Sequence, residues 1–298
     1  MHDKRVCFDF ELDFLNGGGL QGQGFRLDIQ GDDISDDDLA ACIIGDLRLL
    51  MVGEVRILNK QVIREAHKRG SISDRPGSAP VRRFVDLSHT IEEGMITYRG
   101  LPAPIICDHL SRVESRAHYA AGTEFQIGRL EMVGNTGTYL DTPYHRFEDG
   151  YDLSRLDLDR VSGVPAIVVN VTGSDSRAVD WPALAAEPVE GRAVLIRTGW
   201  DRHWRTDRYF EGHPFLTAAA ACFLRDDGAV LVGIDSLNID DVSTRERPVH
   251  TILLEAGIPI IEHLTNLDKL PAKGARFSAI PPKIRKMGTF PVRAHAVF

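Results

Sequence analysis

Apolar and polar residues alternate at the start of the chain with the period of a β-strand. Residues 5–15 read RVCFDFELDFL, and QGQGFRLDI (21–29) alternates again after the glycine-rich stretch NGGG (16–19). This order predicts a β-hairpin with a long turn. The next segment is ISDDDLAACIIGDLRLL, in which Ser35 and Asp38 have the spacing of a capping box. An amphipathic helix is therefore predicted to begin there.

The pattern then predicts a strand, MVGEVRILNK (51–60), and a short helix, QVIREAHKR (61–69). GSISDRPGSAP (70–80) consists of turn-forming residues throughout. We therefore predict an α+β segment over 1–70, a linker over 71–83 and a second domain over 84–298.

The second domain changes to an α/β pattern. It contains short, β-branched and nearly unbroken apolar runs, which suit central strands that are covered on both faces. These runs are PAIVVNV (165–171), AVLIRTG (193–199) and AVLVGID (229–235). Helical segments alternate with them, including LTAAAACFLRDDG, where Thr217 is the predicted N-cap and Gly228 the stop. This alternation predicts an α/β fold.

Composition narrows the class of protein. Of the 298 residues, 43% are hydrophobic and 26% are charged, as in soluble globular proteins. The formal charge of -8 argues against nucleic-acid binding, which needs a basic face. We found neither an apolar run long enough for a membrane span nor a signal-peptide pattern. The four cysteines lie far apart, which predicts reduced thiols in the cytoplasm.

Gly17, Gly19 and Gly22 spell the GxGxxG pattern of dinucleotide-binding loops. That pattern requires a helix to follow, but FRLDI alternates as a strand. We therefore predict a hairpin turn and no nucleotide cofactor. The chain also lacks GxSxG, GK[ST] and HExxH, which removes support for several common hydrolase and transferase mechanisms.

A polar loop, GNTGTYLDTPYHRF (134–147), follows the predicted strand EFQIGRLEMV (124–133). Its Asp141 and His145 are four residues apart, and Pro143 between them disfavours a regular helix. Site residues of α/β domains are found on loops that follow strands. Turn-forming residues and a structural histidine would explain the same pattern.

Two residues further along the chain strengthen the functional interpretation. His250 begins a predicted helix, and Glu262 follows the apolar strand IPII. A carboxylate in such a buried place must meet a cation or hydrogen-bond donors. Either an arginine pairs with it, or Asp141, His250 and Glu262 together bind a divalent cation such as Zn²⁺ or Mn²⁺.

Several sequence blocks follow one another from Phe84 to the end of the chain. They are VDLSHTIEEGM, GNTGTYLDTPYH, LIRTGW, GIDSLNID, HTILLEAGIPIIEHLTNL and PPKIRKMGTFPVRAHAV. In this order they resemble the cyclase family of metal-dependent hydrolases, which includes bacterial kynurenine formamidases and isatin hydrolases. The resemblance implies a swivelling β/β/α fold and a homo-oligomer, a dimer or larger. It also implies hydrolysis of a non-peptide C–N bond in a small aromatic or cyclic compound, as in tryptophan catabolism.

The family's loop has the pattern HxGTHxDxPxH. It is matched here at Gly137, Thr138, Asp141, Pro143 and His145. In the family the two leading histidines and the aspartate bind metal together with a downstream His and Glu, and the last histidine is the acid/base candidate. Here the leading histidines are replaced by Asn135 and Tyr139, which are poorer ligands for Zn²⁺. A site for two metal ions is therefore not expected.

Two chemistries stay open. In the first, Asp141, His250 and Glu262 bind one cation, and His145 carries a proton to the leaving nitrogen. In the second, the site is metal-free: Tyr139 and His145 act as donor and base, Asn135 orients a carbonyl, and the enzyme is a lyase, cyclase or dehydratase. A third possibility is an inactive ligand-binding protein.

Further residues are predicted to contact the substrate. Arg197 would bind a carboxylate and Trp200 would stack on a ring, and the resemblance places Tyr98 in a loop over the pocket. Asp235 and Asp240 are predicted to accept hydrogen bonds from turn amides. The first 70 residues have no counterpart in the family pattern, and we expect them to cover the pocket or enlarge an oligomer interface.

Overall fold

The computed structural model describes residues 3–29, 31, 33–47, 49, 51–65 and 82–298. The chain divides into two compact units, Met1–Pro80 and Val81–Phe298. Residues 70–81, which include most of the predicted linker, lie outside the described residues. Across the described ranges, no helix has the length and apolar character that crossing a bilayer requires.

The described residues of the first unit form a three-stranded antiparallel sheet and one helix. Its elements are β1 (Asp3–Phe14), β2 (Gly19–Asp28), α1 (Asp36–Asp46) and β3 (Val52–Glu65). β1 lies in the centre and pairs with both other strands. The predicted hairpin is confirmed, and Gly17 in its turn has a φ of 91°, a conformation that favours glycine.

Alternation along β1 builds the core of this unit. Its inward side chains pack against Leu39 and Ile43 of α1. Ser35 caps α1 by accepting a hydrogen bond from the Asp38 N–H, as predicted. The short helix predicted over 61–69 is wrong for 61–65, because β3 continues there in register with β1. The ladder of hydrogen bonds outweighs local helix propensity, and residues 66–69 lie outside the described part of the chain.

The second unit contains the remaining strands and helices. In chain order they are β4 (Phe84–Asp86), β5 (Ile105–Leu110), α2 (Arg112–Ser115), β6 (Ile127–Glu131), β7 (Tyr139–Asp141), β8 (Val164–Asn170), β9 (Ala178–Val179), β10 (Ala193–Arg197), β11 (Phe215–Leu216), α3 (Ala218–Asp226), β12 (Leu231–Ile234), α4 (Pro248–Glu255), β13 (Ile260–Glu262), β14 (Lys273–Ser278), β15 (Thr289–Pro291) and β16 (His295–Val297).

One large sheet organises this unit. Within residues 82–298, nine strands pair in the order β15-β7-β13-β12-β10-β8-β14-β16-β4. The central strands β8, β10, β12 and β13 are parallel, whereas the strands on both flanks are antiparallel. This is the mixed α/β architecture that the sequence predicts.

The parallel strands are covered on both faces. Val194 and Ile196 of β10 pack in one apolar cluster with residues of α3 and α4, and Leu195 packs in a second cluster on the other face. Thr217 caps α3 by accepting from the Ala220 N–H. Gly228, with a φ of 76°, follows the helix end as predicted.

Candidate active site

Strand β7 connects the two distant segments that carry the candidate residues. It lies between β13 and β15, and its register pairs Tyr139 with Glu262 and Asp141 with Thr289. A 3₁₀ turn, Pro143–His145, follows β7 and carries His145. Gly288 lies so close to the backbone of His145 that a side chain there would collide with it.

A cavity of about 380 Å³ lies beside these strands. The residues that line it include most of the predicted site residues: Tyr98, Asn135, Tyr139, His145, His250 and Glu262. Segments more than 100 residues apart in the chain therefore meet at one pocket, as the interpretation of the polar loop requires.

Asp141 lies at the centre of this arrangement and is fully buried. Thr289 donates its hydroxyl to Oδ1 of Asp141, while Oδ2 has no hydrogen-bond partner among the described residues. Oδ2 lies 3.8 Å from Nε2 of His250. Burial by itself would raise the pKa of Asp141, but the neighbouring His145 and His250 outweigh it and the pKa is lowered. Asp141 is therefore a carboxylate with one oxygen left for a cationic partner.

Thr289 also determines the tautomer of His145. Its Oγ1 lies 2.7 Å from Nδ1 of His145. Because the single hydroxyl proton is donated to Asp141, Oγ1 can only accept from the imidazole. A neutral His145 thus carries its proton on Nδ1, and Nε2 keeps a lone pair that can take a proton or bind a cation.

His250 is held by a second carboxylate, Asp240. Nδ1 of His250 lies 2.6 Å from Oδ2 of Asp240, which also accepts from the backbone N–H of His250 at 3.0 Å. Burial alone would lower the pKa of His250, but the neighbouring carboxylates of Asp141 and Asp240 raise it to about 10. The contact with Asp240 orients the imidazole so that its Nε2 faces Asp141. Carboxylates orient metal-binding histidines in the same way. The prediction that Asp240 accepts hydrogen bonds from backbone amides is confirmed. The sequence did not predict its contact with the imidazole of His250.

Hydrogen-bond donors, and not an arginine, meet the buried Glu262. Tyr139 donates its hydroxyl to Oε2 at 2.5 Å, and the Ile239 N–H donates to Oε1 at 2.7 Å. Burial raises the pKa of Glu262 to about 7, although the positive charge of His250 acts in the opposite direction. Burial and the charge of Glu262 raise the pKa of Tyr139 well above its usual range. Tyr139 is therefore a neutral phenol.

The residues at this centre fit a divalent cation. Ligand atoms of Asp141, His145 and His250 lie within 4.8 Å of one another, and Asp141 offers a buried oxygen without a partner. One carboxylate and two imidazoles suit Zn²⁺ or Mn²⁺. The expected set was Asp141, His250 and Glu262. Glu262 lies at the edge of the cluster, with Oε1 at 3.6 Å from Nε2 of His250, and its oxygens already accept three hydrogen bonds.

The chain is similar to proteins of a known family. Residues 85–241 match the family of putative cyclases. The chain belongs to that family. It is 32% identical to the kynurenine formamidase of Bacillus cytotoxicus over 169 residues, which are 56% of this chain and 78% of that enzyme.

Solved structures share the fold of this cyclase-family chain. A structure described as a potential metal-dependent hydrolase with cyclase activity is 26% identical, with a TM-score of 0.60 over 72% of this chain and 98% of the other. Isatin hydrolase A from Labrenzia aggregata is 23% identical, with a TM-score of 0.63 over 72% of this chain and 93% of that one. The resemblance and the fold predicted from the sequence are confirmed.

Two predicted substrate contacts do not line the cavity of the cyclase-family chain. Trp200 is only 7% exposed and donates its indole N–H to the backbone of Tyr209. Arg197 ends β10, where it pairs with Asn170 of β8. Tyr98 does line the cavity, and it donates its hydroxyl to the Leu237 carbonyl at 2.8 Å. Of the three predicted substrate contacts, Tyr98 alone is therefore among the residues that line the cavity.

Other residues of the site were missed. Thr289, which bonds to both Asp141 and His145, lies in the block PPKIRKMGTFPV and has no polar pattern around it that would single it out. Arg146 and Arg247 line the cavity, and in the sequence each is one arginine among many. The sequence marks Asp240 only as a residue at a strand end, because a separation of ten residues from His250 carries no local signal.

Proposed function

We propose that this cyclase-family chain hydrolyses the C–N bond of a small aromatic amide or lactam, in the manner of an arylformamidase. The observation that carries the proposal is the meeting of Asp141, His145 and His250 beside one cavity. Support comes from the relatives, one named a kynurenine formamidase and another, similar in fold, named an isatin hydrolase. Asp141 and His145 lie within residues 85–241, which match the family.

Hydrolysis of an amide needs a nucleophilic water, a polarised carbonyl and a proton for the leaving nitrogen. Asp141 Oδ2 and His250 Nε2 would hold a Zn²⁺ or Mn²⁺ ion, with Glu262 as the third protein ligand, which leaves His145 free to carry a proton. Such an ion lowers the pKa of a water molecule and polarises a carbonyl. Asp240 and Thr289 orient the two imidazoles for these tasks.

His145 is suited to move the proton. Its side chain is 35% exposed, compared with 7% for His250, so it is the imidazole that is more open to the cavity. Nε2 accepts the proton of the attacking water, and the imidazolium returns it to the amide nitrogen as the C–N bond breaks. The products are a carboxylic acid and an amine.

The lyase alternative depends on Tyr139 as a proton donor to substrate. The hydroxyl of Tyr139 is instead donated to Glu262, and the residue is only 1% exposed. A phenol in this position stabilises the carboxylate of Glu262 and has no second proton to offer. This contact favours hydrolysis over the metal-free chemistry.

Metal content and turnover test the proposal together. We expect protein purified without chelator to contain close to one Zn or Mn per chain and to hydrolyse formanilide. Asp141→Ala and His250→Ala should lose both the metal and the activity. His118→Ala, a change at an exposed histidine, is the matched control and should retain both. Turnover that survives in Asp141→Ala would refute the assignment, and tight ligand binding without turnover would indicate a binding protein.

We also propose that the chain forms a homo-oligomer through the hairpin β5–β6. The two strands pair only with each other within the described residues, and their exposed side chains include several large apolar ones: Ile105, Ile106, Ile127 and Leu130. Phe125, just before β6, is exposed as well. An apolar surface of this kind marks a protein interface. Light scattering on the wild type and on Leu130→Lys tests it, and a wild-type monomer at micromolar concentration would exclude it.

The four cysteines are free thiols in the structure. This fits the predicted reducing environment of the cytoplasm, which we retain as the proposed location.

A further inference from the structure

Three arginines line the cavity, and they differ in how their charge is compensated. Arg99 lies 3.6 Å from a carboxylate oxygen of Asp207 and 3.5 Å from one of Glu211. Neither Arg146 nor Arg247 has a carboxylate within ion-pair distance among the residues that the structure describes. Two guanidinium groups at the pocket therefore have no described acidic partner.

Both guanidinium groups are positioned by neutral hydrogen bonds. Nε of Arg146 donates to the Thr251 hydroxyl at 3.3 Å. Nη1 of Arg247 donates to the backbone carbonyls of Thr244 at 2.9 Å and Glu246 at 2.6 Å. All of the bonds described for Arg247 use Nη1 as the donor, so the other guanidinium nitrogens are left for a ligand.

Helix α4 brings the two arginines to the same end of the site. Arg247 immediately precedes the helix, and the Thr251 hydroxyl donates to the Arg247 carbonyl at 2.8 Å. Because Arg146 in turn bonds to Thr251, both arginines are connected to the turn of the helix that carries His250. The two guanidinium groups are therefore attached to the same helix that carries His250 of the candidate catalytic centre.

The charges of the pocket divide into two regions. The carboxylates of Asp141, Asp240 and Glu262 surround His250 and the proposed cation site, so a positive charge there is compensated. The guanidinium groups of Arg146 and Arg247 lack such partners among the described residues and attract an anionic group of a ligand. A guanidinium group binds a carboxylate with two parallel hydrogen bonds, which fixes orientation as well as charge. A substrate held in this way would direct its amide toward Asp141 and His250.

We propose that Arg146 and Arg247 bind a carboxylate of the substrate, so that the chain prefers aromatic amides that carry one. The inference rests on the proposed hydrolysis and adds the class of substrate. It assigns to Arg146 and Arg247 the role that the sequence suggested for Arg197.

Two formamides that differ in one group test the proposal: 2-formamidobenzoate, which has a carboxylate, and formanilide, which does not. For the wild type we expect a higher kcat/KM with 2-formamidobenzoate. In Arg146→Gln and in Arg247→Gln, the ratio of the two kcat/KM values should fall about tenfold or more, through KM of the charged substrate. Arg→Lys at either position should restore part of the ratio, because the charge returns without the two-pronged geometry.

Arg99→Gln is the matched control, since this arginine lines the same cavity but already has two acidic partners. Its ratio should stay within about twofold of the wild type. Equal losses for both formamides in Arg146→Gln and Arg247→Gln, or no loss, would overturn the proposal while leaving hydrolysis intact.

Calorimetry with benzoate separates this inference from the proposed function. If neither formamide is hydrolysed but benzoate binds the wild type and not Arg146→Gln or Arg247→Gln, the carboxylate site stands and the hydrolase does not. Inorganic phosphate is the comparison anion. Phosphate binding as tight as benzoate binding would contradict a site built for a planar carboxylate.

Discussion

Replacing Tyr139 by phenylalanine removes one hydroxyl from a buried hydrogen bond of the candidate site. The ring of Tyr139 is only 1% exposed, and phenylalanine keeps its shape and packing. The change leaves Oε2 of Glu262 without its donor at 2.5 Å. The remaining neighbour, the Asn238 amide, lies at 3.4 Å and cannot replace it fully.

The expected loss follows from the charge of the acceptor. A hydrogen bond to an ionised group stabilises a protein by about 1.5–3 kcal/mol, compared with about 1 kcal/mol for a neutral pair. Burial raises the pKa of Glu262 to about 7, above its usual value of 4.5. The protonated form of Glu262 therefore contributes stability that is fully present below its pKa of 4.5 in the unfolded chain. This stability is lost as the pH rises through about 7, its pKa in the folded protein. Because Tyr139 stabilises the ionised form, Tyr139→Phe should deepen that loss.

Urea unfolding with a chelator present measures the effect, at about pH 8 and about pH 5.5 on either side of the titration. We expect Tyr139→Phe to lower the free energy of unfolding by about 2–3 kcal/mol at the higher pH and by about 1 kcal/mol at the lower pH. Tyr151→Phe is the control, because its hydroxyl donates to the neutral carbonyl of Gly257 at 2.8 Å. A loss in Tyr139→Phe that is no larger than in Tyr151→Phe, or that does not change with pH, would refute the reasoning.

Three other changes test neighbouring contacts. Asp240→Asn should lower the pKa of His250 from about 10 and weaken metal affinity by about 10–100-fold, which imidazole NMR titration and metal-competition assays would show. Unchanged affinity would mean that Asp240 only caps the helix. Thr289→Val should lower kcat by about 10²-fold or more at unchanged metal content, and Thr289→Ser should restore it, because only the hydroxyl fixes the tautomer of His145. A valine variant with wild-type kcat would contradict this role. Burial lowers the pKa of His89 to about 4. Because the unfolded chain binds this proton more readily, the stability that neutral His89 contributes is present above about pH 6.5. About 3 kcal/mol of the free energy of unfolding is lost as the pH falls from about 6.5 to 4. Urea unfolding of His89→Gln should show a weaker acid dependence than the wild type, and an identical dependence would exclude His89 as its source.

Local elements of the fold were largely predictable because their signals lie within a few residues. The capping serine and threonine of α1 and α3, and the apolar runs of the central strands, each need only their neighbours to be recognised. The helix predicted for residues 61–65 is wrong for the same reason. The local pattern resembles a helix, but these residues pair with β1, a strand far away in the sequence. Local sequence says nothing about a partner more than 50 residues away.

The candidate site shows a similar division. The sequence by itself determined the family and pointed to Asp141, His145, His250 and Glu262, because polar residues beside apolar strands carry a recognisable chemistry. It did not reveal the bridging role of Thr289, and it favoured Arg197 over the arginines that line the cavity.

Only the tertiary structure decided which side chains touch. The register of β7 between β13 and β15 pairs Tyr139 with Glu262 and Asp141 with Thr289. A shift of one residue would turn each of these side chains to the opposite face of the sheet. That register is set by packing over the whole unit, so the hydrogen bonds that assign a proton to each group of the site cannot be read from the chain alone.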